Sequence, residues 1–134
     1  MPFDAGALKE IPLFGALSDE ELEKLAPLFN ERSYVTGHVI AKEGRPGLGF
    51  FVIESGSAKV TVRGEERGTL GPGSYFGEIA LLDQGPRLAT VTTETDLTAH
   101  TLSPLEFRSL VEANPTLALP LLKGLWRILG REDD

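Results

Sequence analysis

The sequence predicts a mainly β chain, an antiparallel sandwich or barrel with helices at both ends. Two observations carry this reading. Between about Asn30 and Leu102, short apolar or β-branched runs alternate with turns marked by glycines at 37, 44, 56, 64, 71 and 73, the rhythm of a roll of antiparallel hairpins. Outside that stretch the period becomes helical, and each helical part opens with a serine capping box: Ser18-Asp19-Glu20-Glu21 and Ser103-Pro104-Leu105-Glu106.

In chain order, Leu8 to Phe14 is an apolar lead-in whose proline prevents a long helix. The first capped helix, about 18–29, carries Leu22, Leu25, Leu28 and Phe29 on one stripe, with Pro27 near its end. Tyr34-Val35 and His38-Val39-Ile40 read as short strands split by Gly37, and Glu43 to Gly49 as a glycine-rich loop. That loop lacks the lysine and the serine or threonine of a P-loop. Phe50 to Ile53 is a continuous apolar run, and Ser55-Gly56 turns the chain. Ala58, Val60 and Val62 alternate with Lys59, Thr61 and Arg63, the pattern of a half-buried strand. Arg63-Gly64-Glu65-Glu66 reads as a hairpin turn before Arg67 to Leu70, and Ala89 to Thr95 and Leu97 to Leu102 as the last strands. The second capped helix presents Phe107, Leu110 and Val111 and ends at Asn114-Pro115. Thr116 to Arg131 is a further helix, and Pro120 falls in its tolerant first turn. Its Leu117, Leu121, Leu122, Leu125, Trp126, Ile128 and Leu129 exceed what one narrow contact stripe needs.

Composition bounds the rest. With 134 residues and 41% hydrophobic content, the chain is expected to form one domain around one core. The absence of cysteine removes disulfides, thiolate metal sites and cysteine-held iron–sulfur clusters. A net charge of −7 without a basic cluster argues against direct nucleic-acid binding. No signal peptide and no apolar run of membrane-spanning length is present, so a cytoplasmic location without a membrane partner is expected. His38 and His100 stand alone and far apart, and no serine occupies a G-x-S-x-G turn. No metal site, catalytic residue or cofactor is therefore expected, and the chain is not read as an enzyme.

The informative stretch is Leu70 to Thr92, LGPGSYFGEIALLDQGPRLATVT. Gly71-Pro72-Gly73 reads as a tight turn, and Ile79-Ala80-Leu81-Leu82 as a short helical run broken by Asp83-Gln84-Gly85-Pro86. A glycine that permits close approach, a short helix start with unpaired N–H groups and one arginine make an anion pocket. Glu78 repels a phosphate unless it accepts from something else, such as a sugar hydroxyl. The stretch thus asks for a ligand carrying one phosphate and one ribose.

FGEIALLDQGPRLATV resembles the phosphate-binding cassette of the cyclic nucleotide-binding domain family, the domain of catabolite activator protein and of cAMP-dependent kinase regulatory subunits. The likeness covers roughly Ile11 to Glu112, including Gly44, FFVIESG and LGPGSYFGE. The resemblance turns the sandwich or barrel into a jelly-roll-like β-roll, about 30–102. It implies one N-terminal helix, two C-terminal helices at about 104–131 and a short helix inside a cassette at 76–91. It implies that Arg87 pairs with the cyclic phosphate and Glu78 holds the ribose 2′-hydroxyl. Gly77, Ile79, Ala80, Leu88 and Ala89 complete the implied ligand set, with N–H donors from Ala80 and Leu88. The implied ligand is cAMP rather than cGMP, because Leu88 has no hydroxyl where cGMP-binding relatives carry threonine or serine. Trp126, with Leu122 and Leu125 as substitutes, is the implied lid over the base.

The same surplus of apolar surface on the last helix also suits a homodimer or an effector protein. Two alternatives accompany this reading: a β-roll that has lost its ligand and serves as an interaction domain, or the sensor segment of a larger effector. A DNA-binding module after the roll needs roughly sixty or more further residues, so binding an operator unaided is not expected.

Overall fold

The computed structural model describes residues 4–45, 49–77 and 89–124. They fall into two compact units, residues 30–104 and the two flanks 1–29 and 105–134.

The unit at 30–104 is an antiparallel β-roll of two four-stranded sheets. Its strands are β1 (Asn30–Tyr34), β2 (Val39–Ala41), β3 (Phe50–Ser55), β4 (Ala58–Val62), β5 (Glu65–Leu70), β6 (Tyr75–Phe76), β7 (Thr90–Thr93) and β8 (Leu97–Leu102). The first sheet runs β1-β8-β3-β6 and the second β2-β7-β4-β5. Ile40, Ala41, Phe51, Ile53, Ala58, Val91, Leu97 and Ala99 form one buried core cluster drawn from both sheets. Burying apolar area of this kind is worth about 25 cal/mol per Å² and is the main term that holds such sheets together.

Two strand assignments from sequence need correction. β1 begins at Asn30 and is polar and largely exposed, while Val35 lies beyond it, 69% exposed. Glu65 and Glu66 are not turn residues but pair with Val62 and Thr61. The hairpin turn is Arg63-Gly64 alone, with φ of 53° and 81°. Two consecutive residues in the left-handed region make the tight turn whose twist suits adjoining strands.

In the second unit, α1 (Ala5–Lys9) is a short helix that apolar spacing did not anticipate, capped by Asp4, whose side chain accepts from the Ala7 N–H. Pro12–Phe14 forms a 3-10 turn. The Ser18 capping box is realised: Ser18 Oγ accepts from the Glu21 N–H at 3.2 Å, and Glu21 Oε1 accepts from the Ser18 N–H at 2.8 Å. The helix it opens, α2 (Asp19–Leu25), is shorter than the expected 18–29 and tightens to 3-10 at Ala26–Leu28. Pro27 has no N–H to give the Glu23 carbonyl, so the α-helical ladder cannot continue. Leu22, Leu25 and Phe29 are buried as expected, but Leu28 is 44% exposed.

The two C-terminal helices expected at 104–131 are seen as α3 (Pro104–Ala113), a 3-10 turn at Pro115–Leu117 and a helical segment over 118–124. α3 ends at Asn114, which leaves helical geometry (φ −133°, ψ 74°) before Pro115, and its side-chain N–H adds a bond to the Leu110 carbonyl at 3.0 Å. Leu117 and Leu121 are buried, while Leu105, Leu119 and Leu122 are exposed. A β-carbon at Gly124 would lie 2.2 Å from the Leu13 carbonyl oxygen, so this helix approaches the Pro12–Phe14 turn closely enough to demand glycine. No described helix is long and apolar enough to cross a membrane.

Candidate functional site

The expected phosphate and ribose ligands Glu78, Ile79, Ala80, Arg87 and Leu88, with the short cassette helix, lie outside the described residues, as do Leu125 and Trp126. What the structure describes is how the two ends of that stretch are held. Its leading end, β6, belongs to the first sheet and its trailing end, β7, to the second.

The leading end rests on a turn and a ring stack. Gly71-Pro72-Gly73-Ser74 closes through a bond from the Ser74 N–H to the Gly71 carbonyl at 2.9 Å. The turn docks on β3: the Gly73 N–H donates to the Ile53 carbonyl and the Ile53 N–H to the Ser74 carbonyl, both at 2.8 Å. β6 then pairs Phe76 with Phe51 and Tyr75 with Val52. The Phe51 and Phe76 rings stack with centroids 4.8 Å apart and planes 8° from parallel. Immediately afterwards the backbone turns left-handed at Gly77, φ 84°. A side chain there strains the backbone, so this position requires glycine.

The trailing end is polar. Ala89 is half-buried, and Thr90 opens β7. The Thr90 hydroxyl accepts from the Glu43 N–H at 3.1 Å and donates to Glu43 Oε1 at 3.3 Å. Both Glu43 oxygens accept from the Arg63 N–H, at 3.0 and 3.1 Å. One carboxylate therefore ties the loop after β2 and the β4–β5 turn to the last residues of the cassette. Further along β7, the Thr93 hydroxyl donates to the Val35 carbonyl at 2.6 Å and accepts from the His38 N–H at 2.8 Å. The Glu43–Thr90–Arg63 network has no signature in the sequence, because Glu43 lies 47 positions from Thr90 and 20 from Arg63.

Of the three residues expected to cover a base, the described one, Leu122, is 49% exposed in the helical segment 118–124. The histidines are less isolated than the sequence suggests. His38 stacks on Tyr34 with ring centroids 5.1 Å apart. Burial pushes the Tyr34 hydroxyl above its usual range, opposed by the nearby Arg32 charge. His100 Nε2 lies 2.9 Å from Glu54 Oε1, with Glu31 beside them.

The profile described as "Cyclic nucleotide-binding domain" matches residues 31–114, more than half of the chain. The cAMP-dependent protein kinase regulatory subunit of Yarrowia lipolytica is 42% identical over 108 residues, covering 79% of this chain and 29% of that protein. That of Debaryomyces hansenii is 40% identical over 105 residues, covering 78% and 23%. The chain thus spans less than a third of the length of these curated relatives. Among solved structures, the N-terminal domain of a transcriptional regulator from Streptomyces coelicolor superposes with a TM-score of 0.83 at 31% identity, covering 96% of this chain and 92% of that one. Thermus thermophilus catabolite activator protein superposes at 0.71 with 32% identity, covering 91% of this chain and 60% of that one.

Proposed function

Because the chain belongs to the cyclic nucleotide-binding domain family, we propose that it is a regulatory module that binds a cyclic mononucleotide, cAMP in preference to cGMP, and is not itself a catalyst. One observation carries the reading: FGEIALLDQGPRLATV stands within the matched residues 31–114 and between two sheet-anchored ends. Arg87 is the anchor of the cyclic phosphate, since a guanidinium fork suits phosphate oxygens. Glu78 accepts from the ribose 2′-hydroxyl. Gly77 supports the reading by its left-handed turn just before Glu78, which lets the backbone approach the ligand. Leu88 offers no hydroxyl to a guanine amino group, which is the basis for the cAMP preference.

Calorimetric titration with cAMP and cGMP tests this reading. The wild-type chain should bind cAMP more tightly, and Arg87→Ala should weaken binding tens to thousands of fold, in line with the cost of about 2–5 kcal/mol typical of truncating one partner of a buried charged pair. No binding of either nucleotide by the folded wild-type chain, or unchanged affinity in the variant, rejects the assignment.

The signal, in the same proposal, passes through the C-terminal helices to a second subunit or an effector. Nucleotide binding shifts a helix only if that helix contacts the bound and free states differently. The exposed Leu119 and Leu122, at 61% and 49%, supply apolar surface for such a change of contacts. Trp126 is the only tryptophan in the chain, so its emission reports on this segment alone. Saturating cAMP should change that emission; an unchanged spectrum together with unchanged hydrogen exchange over Leu117 to Leu129 removes this helix from the mechanism.

A further inference from the structure

On the face of the first sheet opposite the core cluster, three adjacent strands each bring one metal-ligating side chain to one place. β1 supplies Glu31, directly across from His100 on β8. β3 supplies Glu54, where the β3–β8 register shifts between Ile53 and Ser55. A bulge re-aims a side chain, and here Glu54 Oε1 comes within 2.9 Å of His100 Nε2. Ligand atoms of all three residues lie within 4.8 Å of one another. The His100 and Glu54 side chains are only 12% and 28% exposed, so both are largely shielded from water.

We propose that Glu31, Glu54 and His100 form a site for a zinc-class divalent cation, separate from the nucleotide cassette. One imidazole with two carboxylates is a three-ligand set that leaves a fourth position to water. Imidazole selects zinc and its transition-metal neighbours over magnesium and calcium, which prefer oxygen alone. A proton on His100 Nε2 satisfies one carboxylate, whereas a divalent ion compensates both. Tetrahedral zinc with bonds of about 2.0–2.2 Å sets its ligand atoms roughly 3.4 Å apart, so Glu31 must close in, while His100 Nε2 and Glu54 Oε1 part slightly from 2.9 Å and the proton between them goes to water. Glu31 is the member that moves most, because it is exposed on the edge strand β1. His100 and Glu54, on central strands of a rigid sheet, need only a small side-chain adjustment. The bound ion joins β1, β8 and β3, and its effect is on the stability of the roll.

Titration of the untagged full chain with zinc chloride alone, followed by calorimetry and thermal melting, tests the site. One zinc per chain should bind, and the melting temperature should rise by about 5 °C or more at a hundredfold excess over Kd. Losing only an outer partner of a metal site costs about 10–100-fold in affinity, so Glu31→Gln and Glu54→Gln should each cost about 100-fold or more. Glu31→Gln changes an exposed side chain and keeps the fold, so it remains informative if a His100→Asn variant does not fold. His38→Asn should leave zinc binding unchanged. The proposal is overturned if zinc neither binds nor raises the melting temperature, if Glu31→Gln binds it as tightly as wild type, or if His38→Asn abolishes binding.

Discussion

The two ends of the cassette are held by different physics. The leading end is part of the apolar core: Phe51 is 4% exposed, belongs to the core cluster and stacks on Phe76, and the turn before β6 is closed locally, by the Ser74 N–H on the Gly71 carbonyl and the Gly71 N–H on Ser74 Oγ. The trailing end is paired in its own sheet, Thr90 with Thr61, and Val91 enters the core, but at Thr90 it carries in addition a half-exposed polar bridge, with one carboxylate, Glu43, joining Thr90 and the Arg63 N–H. An apolar anchor in the core cannot be loosened without loosening the roll. A half-exposed polar bridge can be loosened while the core stays intact. We therefore expect the leading end to be the fixed reference of the proposed site, and the polar bridge at Thr90, three residues after Arg87 in the chain, to be the part that can be loosened.

The largest effect should come from breaking the leading end. Phe51→Ala removes a buried ring and should destabilise the domain by about 3–5 kcal/mol, as buried Phe-to-Ala changes do. Denaturant unfolding measures this; a loss under about 1 kcal/mol would place the anchor elsewhere. Gly77→Val comes next. Its positive φ of 84° should make a β-branched residue cost about 1–3 kcal/mol, and cAMP affinity should fall further than for a change of equal stability cost remote from the cassette. If melting temperature drops while cAMP affinity per folded molecule is unchanged, Gly77 serves the fold and not the ligand.

The same contrast explains what was legible in the sequence. β3, β4 and β8 carry apolar or alternating residues because they face the core, and their patterns could be read directly. β1 and β5, NERSY and EERGTL, form the polar edges of their sheets and carry no apolar rhythm. Apolar rhythm accordingly points to Tyr34-Val35 rather than to the polar start of β1, and reads the start of β5 as a turn. The Ser18 capping box was readable because its two bonds join neighbours in sequence, while the shortening at Pro27 followed from a single missing N–H. In the site, the motif and the glycine before Glu78 could be read locally. Glu43–Thr90 and Glu31–Glu54–His100 could not, since strand pairing alone brings those residues together.

The smallest effect belongs to Glu43→Gln, and it sharpens the contrast most. The amide keeps the shape of the carboxylate and one acceptor oxygen, but replaces the other oxygen with a donor that cannot accept from the Arg63 N–H. The charge that strengthens these bonds is also lost. Glu43 is only half-buried, so water can compensate, and stability should fall by no more than about 1 kcal/mol, the net worth of one ordinary hydrogen bond. Ala89 adjoins Thr90, and Leu88 and Arg87 precede it, so slack at Thr90 reaches the proposed phosphate anchor, Arg87, through few bonds. We expect cAMP affinity to fall by about three- to tenfold, equivalent to about 0.7–1.4 kcal/mol, mostly through faster dissociation. Thr90→Val, which removes the hydroxyl from the other side of the bridge, should do the same, and the double variant should lose little more than either single one because both act on one contact. Stopped-flow displacement of a fluorescent cAMP analogue measures the dissociation rates. If the losses in the double variant simply add, Glu43 and Thr90 act independently and the trailing end is not held by this bridge.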